Sequence, residues 1–220
     1  MQLKTPQLIY MQQTIIKKSV LVILLFLINL IGNAQKTQDM TTNLQTAVFA
    51  NGCFWCTEAI FLHVEGVEEV CAGYTGGSTQ NPTYKQVVNG KTGHAEAIEI
   101  TFDPAKVSYQ DLLEIFFATH DPTTLNRQGY DVGTQYRSGI FYNSENQLIS
   151  AKKYIEALSE SKVFKDQIVT EVTRLDVFYK AEDYHQNYFN NNPNQGYCRA
   201  VINPKLEKFQ KEFKSKLKKK

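Results

Sequence analysis

Cys53 and Cys56 stand three residues apart in Gly52-Cys53-Phe54-Trp55-Cys56, two thiols flanking two bulky aromatics. A C-x-x-C pair at the start of a helix is typical of redox cysteines. Unpaired amides and the macrodipole favour an anion there, and so ease ionisation of a thiol. Such a group can attack an electrophile, exchange with disulfides, or become a sulfenic acid that a second thiol condenses with. Phe54 and Trp55 suit the wall of an apolar pocket better than a solvated loop. The plainer alternative for Cys53 is a small, inert core residue.

The surrounding elements must set this position. Thr46 to Ala50 reads as a short buried strand, and Cys56 to Val64 carries Ala59, Ile60 and Val64 at helical spacing. Gly52 lets the chain turn sharply, so Cys53 is expected at a strand-to-helix junction, in the first helical turn. Val67 to Tyr74 reads as a strand ended by Gly76-Gly77, with a helical turn from Asn81 to Val88 after it. His94 to Phe102 alternates as a strand. Ser108 with Asp111 caps a helix through Ala118, and Ser144 with Gln147 caps one to about Leu158. Gln135 to Tyr142 and Ile168 to Leu175 read as strands, and Glu182 to Phe189 as a short helix. Asn190 to Gly196 reads as coil, and Pro204 to Leu217 as a charged helix. The segment from His120 to Gly133 is long, polar and without periodicity, and loops of that length in compact domains are often functional. The elements mix as β-α-β-β-α-β-α-β. An α/β (α+β) fold is expected, a two-layer mixed sheet with helices near the ferredoxin-like plait, in a single domain.

At the N-terminus, Lys17 and Lys18 precede the apolar run Val20 to Ile31, and Gly32-Asn33-Ala34 supplies small residues for a signal peptidase. Residues 1–34 therefore read as a signal peptide cleaved after Ala34, and 35–44 as a flexible lead-in. The run is about a dozen residues, short of the roughly twenty that span a membrane. An uncleaved N-terminal anchor is the alternative and the one expected membrane contact. Export, with a periplasmic location, is the expectation. Residues 45–200 are expected to form one domain that carries the site, and 201–220 a basic C-terminal helix. Removing 1–34 lowers the formal charge from +2 to −1, and a near-neutral body argues against a nucleic-acid partner. The four cysteines Cys53, Cys56, Cys71 and Cys198 remain. An exported chain of this size can fold without disulfide staples, which leaves the pair free for redox work.

From Ala47 to Cys198 the chain resembles the A-type peptide methionine sulfoxide reductases. The resemblance rests on Gly52-Cys53-Phe54-Trp55, Gly73-Tyr74-Thr75-Gly76-Gly77, Asn81-Pro82-Thr83-Tyr84, Gly93-His94-Ala95-Glu96 and Arg127-Gln128-Gly129. Further on it rests on Gly133-Thr134-Gln135-Tyr136-Arg137-Ser138 and Ala181-Glu182-Asp183-Tyr184-His185-Gln186. Each is weak alone, and their order together is specific. The resemblance implies reduction of the S-epimer of methionine sulfoxide, free or in oxidised proteins, by a monomer that carries no bound cofactor or metal. Electrons would come from thioredoxin or a similar dithiol. It makes Cys53 the nucleophile and Glu96 the acid that protonates the sulfoxide oxygen. Tyr84 and Tyr136 would hold that oxygen, Asp131 would orient the site, and Phe54 and Trp55 would enclose the substrate methyl group. Cys198 matches the resolving cysteine. It is expected to be the principal one, on a flexible Asn194-Gln195-Gly196-Tyr197 segment, with Cys56 secondary. The chain departs from the common pattern in carrying Cys56 where Gly is frequent, and in having no cysteine after Cys198. Cys71 is expected in the core.

Two other readings use the same residues. Cys53 and Cys56 alone suit a thioredoxin-like dithiol, although no β-α-β unit precedes them. His94-Ala95-Glu96 with a C-x-x-C is similar to zinc deaminases, but there the cysteine pair follows the His-x-Glu after a Pro. A non-catalytic binding module would leave Cys53, Glu96 and Cys198 unexplained.

Overall fold

A computed structural model describes residues 43–219, so the expected signal peptide and most of the 35–44 lead-in lie outside the described residues. The strands are β1 (Gln45–Asn51), β2 (Val67–Thr75), β3 (Ala95–Phe102), β4 (Arg127–Gln128), β5 (Asp131–Val132), β6 (Ser138–Tyr142), β7 (Glu171–Arg174) and β8 (Tyr179–Lys180). The helices are α1 (Phe54–Phe61), α2 (Tyr84–Val88), α3 (Tyr109–Ala118), α4 (Glu145–Ser161), α5 (Tyr188–Asn191) and α6 (Asn203–Glu212). Six strands form one mixed sheet in the order β7-β6-β1-β3-β2-β8, antiparallel except for the parallel β6–β7 pair.

Ala47 to Ala50 of β1 are all buried, because this central strand is covered on both faces. On one face Phe49 packs against Phe61 of α1 and Phe116 of α3, with Ile98, Ile100 and Leu112 around them. On the other, Val48, Ala50, Ala95, Ala97 and Phe141 are covered by Leu175 and Phe178 from the chain after β7. The expected two-layer mixed sheet is therefore present. Ser108 and Asp111 form a complete capping box on α3. On α4 only half the expected box forms. The Ser144 hydroxyl accepts from the Gln147 amide, while Gln147 turns its carbonyl to the Asn143 N–H.

Several boundaries differ from those expected. α1 starts at Phe54, two residues before the expected Cys56, and ends at Phe61, three before Val64, with Cys53 as its N-cap. The long segment after α3 contains the β4–β5 hairpin, closed by Gly129 at φ +60° and Tyr130. Thr134–Tyr136 is a 3₁₀ turn, so Tyr136 precedes β6. The stretch after β8 is a 3₁₀ turn (Asp183–His185) followed by the short α5. The expected C-terminal helix stops at Glu212. The chain then turns back, and Leu217 bridges to Val64 while the Glu65 and Lys218 amides donate to Lys216 and His63 carbonyls. The basic tail is thus tied to the end of α1, where backbone pairing outcompetes helix continuation. Among the described residues no helix is long and apolar enough to cross a membrane.

Candidate active site

β1 delivers the chain to Gly52, whose φ of +97° and tight packing leave no room for a side chain. A Cβ there would lie 2.7 Å from Cβ of Gln128. The turn places Cys53 at the head of α1, buried at 8% exposure. The Thr57 hydroxyl donates to the Asn51 side chain, which ties the end of β1 to the first turn of α1. The adjacent β3 brings Glu96, opposite Tyr74 of β2, against that same turn. Its carboxylate Oε2 accepts the Phe54 N–H at 3.1 Å, so one unpaired amide of the helix start is used by the acid.

Burial decides the ionisation here. Glu96 is 2% exposed, and its pKa is pushed up to about 8 by burial, against the pull of the Phe54 amide. It is a neutral acid near pH 7. Burial also pushes the Cys53 thiol well above its ordinary value, with Cys56 and Glu96 adding to the shift. The expected ease of ionisation at the helix start is therefore overturned by desolvation. Cys56 shifts the other way, lowered chiefly by its interaction with Cys53.

Tyr84 opens α2, and Tyr136 closes the 3₁₀ turn before β6. Burial, with added repulsion from Glu96 and Cys53, pushes the Tyr84 hydroxyl up to about 12 and raises that of Tyr136 as well. Both hydroxyls thus feel Glu96 and Cys53, which sets the two tyrosines in the electrostatic neighbourhood of the acid and the thiol. Asp131 stands on the β4–β5 hairpin and accepts the Tyr197 hydroxyl at 2.8 Å; that same hydroxyl lies 3.9 Å from Cys56 Sγ. Phe54 is 1% exposed and belongs to the core, its ring stacked beside Tyr84 at 6.4 Å. Trp55 is half-buried. Its ring lies 3.7 Å from that of Tyr188, nearly parallel, and its indole N–H donates to His185 Nδ1 at 3.1 Å. Of the two rings Trp55 is the more exposed, and Phe54 lies beside it in the core.

Cys198 corrects an expectation. It does not sit on a flexible coil but opens a π-helical turn (Cys198–Ile202) and is fully buried, packed with Cys53, Cys56, Ala59 and Ile202. Three thiols share one apolar cluster. Cys71 is only half-buried, in β2 opposite Glu99, and burial raises it to about 11. It takes no part in the cluster.

The residue types had not singled out Glu58, Glu182, His185, Tyr188 and Tyr197 as site residues. Glu182 accepts from the Tyr74 hydroxyl and the Tyr84 amide, which fixes Tyr84. Glu182 and His185 stand within a stretch that carried the resemblance, and Tyr197 directly precedes Cys198, so a signal existed for these three. His94 has both ring nitrogens engaged, Nδ1 by the Gly77 amide and Nε2 by the Thr79 carbonyl, which closes it to a metal. A surface groove of about 570 Å³ beside Phe117, Tyr154 and Phe213 shares no residue with this site.

The family model described as peptide methionine sulfoxide reductase matches residues 45–217. This chain belongs to the peptide methionine sulfoxide reductase family. The reductase is 54% identical over 185 residues to the peptide methionine sulfoxide reductase MsrA of Deinococcus radiodurans, covering 84% of this chain and 89% of that one. It is 55% identical to the MsrA of Trichodesmium erythraeum, covering 77% and 96%. Among solved structures it is similar to reduced Mxr1 from Saccharomyces cerevisiae (TM-score 0.65, 33% identity, covering 70% and 89%). It is also similar to methionine sulfoxide reductase A of Corynebacterium diphtheriae (TM-score 0.63, 34% identity, covering 71% and 78%).

Proposed function

We propose that the chain reduces methionine S-sulfoxide, free or in oxidised proteins, as a monomer through a thiol cycle. The observation that carries this reading is a buried acid, neutral near pH 7, set against the helix start that bears the buried Cys53. A sulfoxide sulfur accepts a thiolate only when its oxygen is protonated or strongly hydrogen-bonded. Glu96 gives its proton to that oxygen, and the Tyr84 and Tyr136 hydroxyls hold it. The Cys53 thiolate attacks the sulfur while Phe54 and Trp55 enclose the methyl group. The S–S bond so formed then breaks as the protonated oxygen passes from the substrate sulfur to Cys53, so the thioether leaves reduced and Cys53 is left as a sulfenic acid. Asp131 holds Tyr197 beside the thiol cluster.

Helix spacing supports the reverse of the expected resolving order. Cys56 stands three residues from Cys53 on the same first turn, within disulfide reach, and Cys198 packs with both in one cluster. Cys56 condenses with the sulfenic acid and releases water. Cys198 then exchanges onto Cys56, which frees Cys53, and a thioredoxin-like dithiol reduces the Cys56–Cys198 disulfide.

The central strand order β6-β1-β3-β2, with helices after β1 and β3, supports reading the sheet as a ferredoxin-like plait around this site. The Lys-apolar-small pattern of residues 11–34 supports export to the periplasm, with residues 45–200 as the catalytic domain.

The test is turnover of separate R and S sulfoxide epimers with dithiothreitol. Reduction of the S form alone is expected. Cys53→Ser is expected to abolish it with any reductant, and residual turnover in that variant removes Cys53 as the nucleophile.

A further inference from the structure

Glu58 is buried at 1% exposure on α1, on the turn after Trp55, and no step of the proposed reaction uses it. Both its oxygens are engaged. Oε1 accepts the Asn187 N–H at 2.6 Å, and Oε2 accepts the Tyr188 N–H at 3.2 Å. These two amides open α5, directly after Gln186, whose side chain is tied to Ala72 of β2. Asn187 is left-handed at φ +51°, a state that Asn adopts more readily than most side-chain-bearing residues, and it caps the four-residue α5. The same segment supplies both partners of Trp55, the Tyr188 ring against its face and His185 against its N–H.

We propose that Glu58 is a positioning residue of the sulfoxide pocket: its carboxyl clamps the Asn187–Tyr188 backbone and thereby holds Trp55 as the pocket wall. A buried carboxyl is costly unless hydrogen-bonded, and here both bonds go to the one segment that frames the indole. Burial raises Glu58 to about 7 while the two amides pull it down. The clamp stays a good acceptor only through those donors.

Trp55 is the one tryptophan of the chain, so its fluorescence reads the pocket without turnover. The inference rests on the reductase reading for its kinetic arm alone. In Glu58→Gln one amide loses its acceptor to an NH₂ group. Indole emission is expected to shift red, and acrylamide quenching to rise about twofold. KM for methionine sulfoxide is expected to rise about 5- to 10-fold with kcat little changed, the pattern of lost uniform binding. Tyr188→Leu should reproduce the fluorescence change, and Tyr188→Phe, which keeps the stacked ring, should not. Glu58→Gln added to Tyr188→Leu should cost no further KM, since the two act in series. Wild-type emission and quenching in Glu58→Gln overturns the proposal, as does an additive double variant. If Glu58→Gln does not fold, unchanged quenching in Tyr188→Leu overturns it alone. Absence of any sulfoxide turnover in the wild type, with the fluorescence changes intact, overturns the reductase reading and leaves the clamp standing.

Discussion

Glu96 and Cys53 share one proton in the working state, and that sets the pH dependence. The reactive arrangement has the proton on Glu96 and a thiolate on Cys53, which is one proton fewer than the pair holds at low pH. With Glu96 near 8 and Cys53 higher, the rate of the wild type is expected to rise as pH approaches about 8 and then level off. Glu96→Gln should lower the rate about 10²-fold. Its residual rate should keep climbing through pH 9, because only the thiol then titrates. A variant profile that levels off like the wild type moves the proton source to Tyr84 or Tyr136. Stability carries the opposite sign from an ordinary salt-bridged acid. The Glu96 pKa is raised on folding from 4.5 to about 8, so the folded state binds the extra proton across that window. Folding stability therefore falls as pH rises through it. Glu96→Gln should stabilise the chain at pH 8.5 by on the order of a few kcal/mol, and by little at pH 4, as read from denaturant midpoints.

At the scale of elements, the β1–α1 corner and the turn that opens on Cys198 decide the cycle. Gly52 combines a left-handed φ with contact to Gln128 on the β4–β5 hairpin. Gly52→Ala is expected to cost about 1–3 kcal/mol of stability, measured by urea unfolding, and to displace Cys53 enough to depress turnover. The resolving order is read by treating the protein with one equivalent of sulfoxide and mapping disulfides over time by peptide mass. A Cys53–Cys56 bond that gives way to Cys56–Cys198 is expected. Residues three apart at a helix start lie within the roughly 7 Å between Cα atoms that a disulfide allows. Cys198→Ser should still form the first bond yet recycle poorly with thioredoxin. A Cys53–Cys198 bond appearing first restores the order expected from the Asn/Gln/Gly composition. That expectation treated residues 194–197 as a free strap. In the folded chain the next turn is helical and buries its thiol among Cys53, Cys56 and Ile202.

For the whole molecule, export is tested by intact mass of the protein from its native host. A chain beginning at Gln35 is expected, and one that retains Met1 or Met11 in the cytosol rejects export. Local pattern alone already determined much of what matters here. Gly52 before a cysteine and two aromatics required a strand-to-helix corner. The alternating residues of β3 put Glu96 on a strand, and Ser108 with Asp111 marked the start of α3. These are short-range consequences of backbone sterics, periodicity and capping, and sequence carries them directly. The ordered motifs from Gly52 to Gln186 carried the family as well. Other features were decided only by chain segments far apart in sequence. The Glu96 carboxyl meets the Phe54 amide across 42 residues, and Glu58 meets Asn187 across 129. Desolvation from that packing reversed the expected ease of ionisation of Cys53, since a helix start contributes at most about a kcal/mol or two while burial acts on the whole charge. The same packing drew Cys198 out of its expected coil and pinned the basic tail against the end of α1. Burial and long-range partners are properties of the assembled fold, and no local window of the sequence contains them.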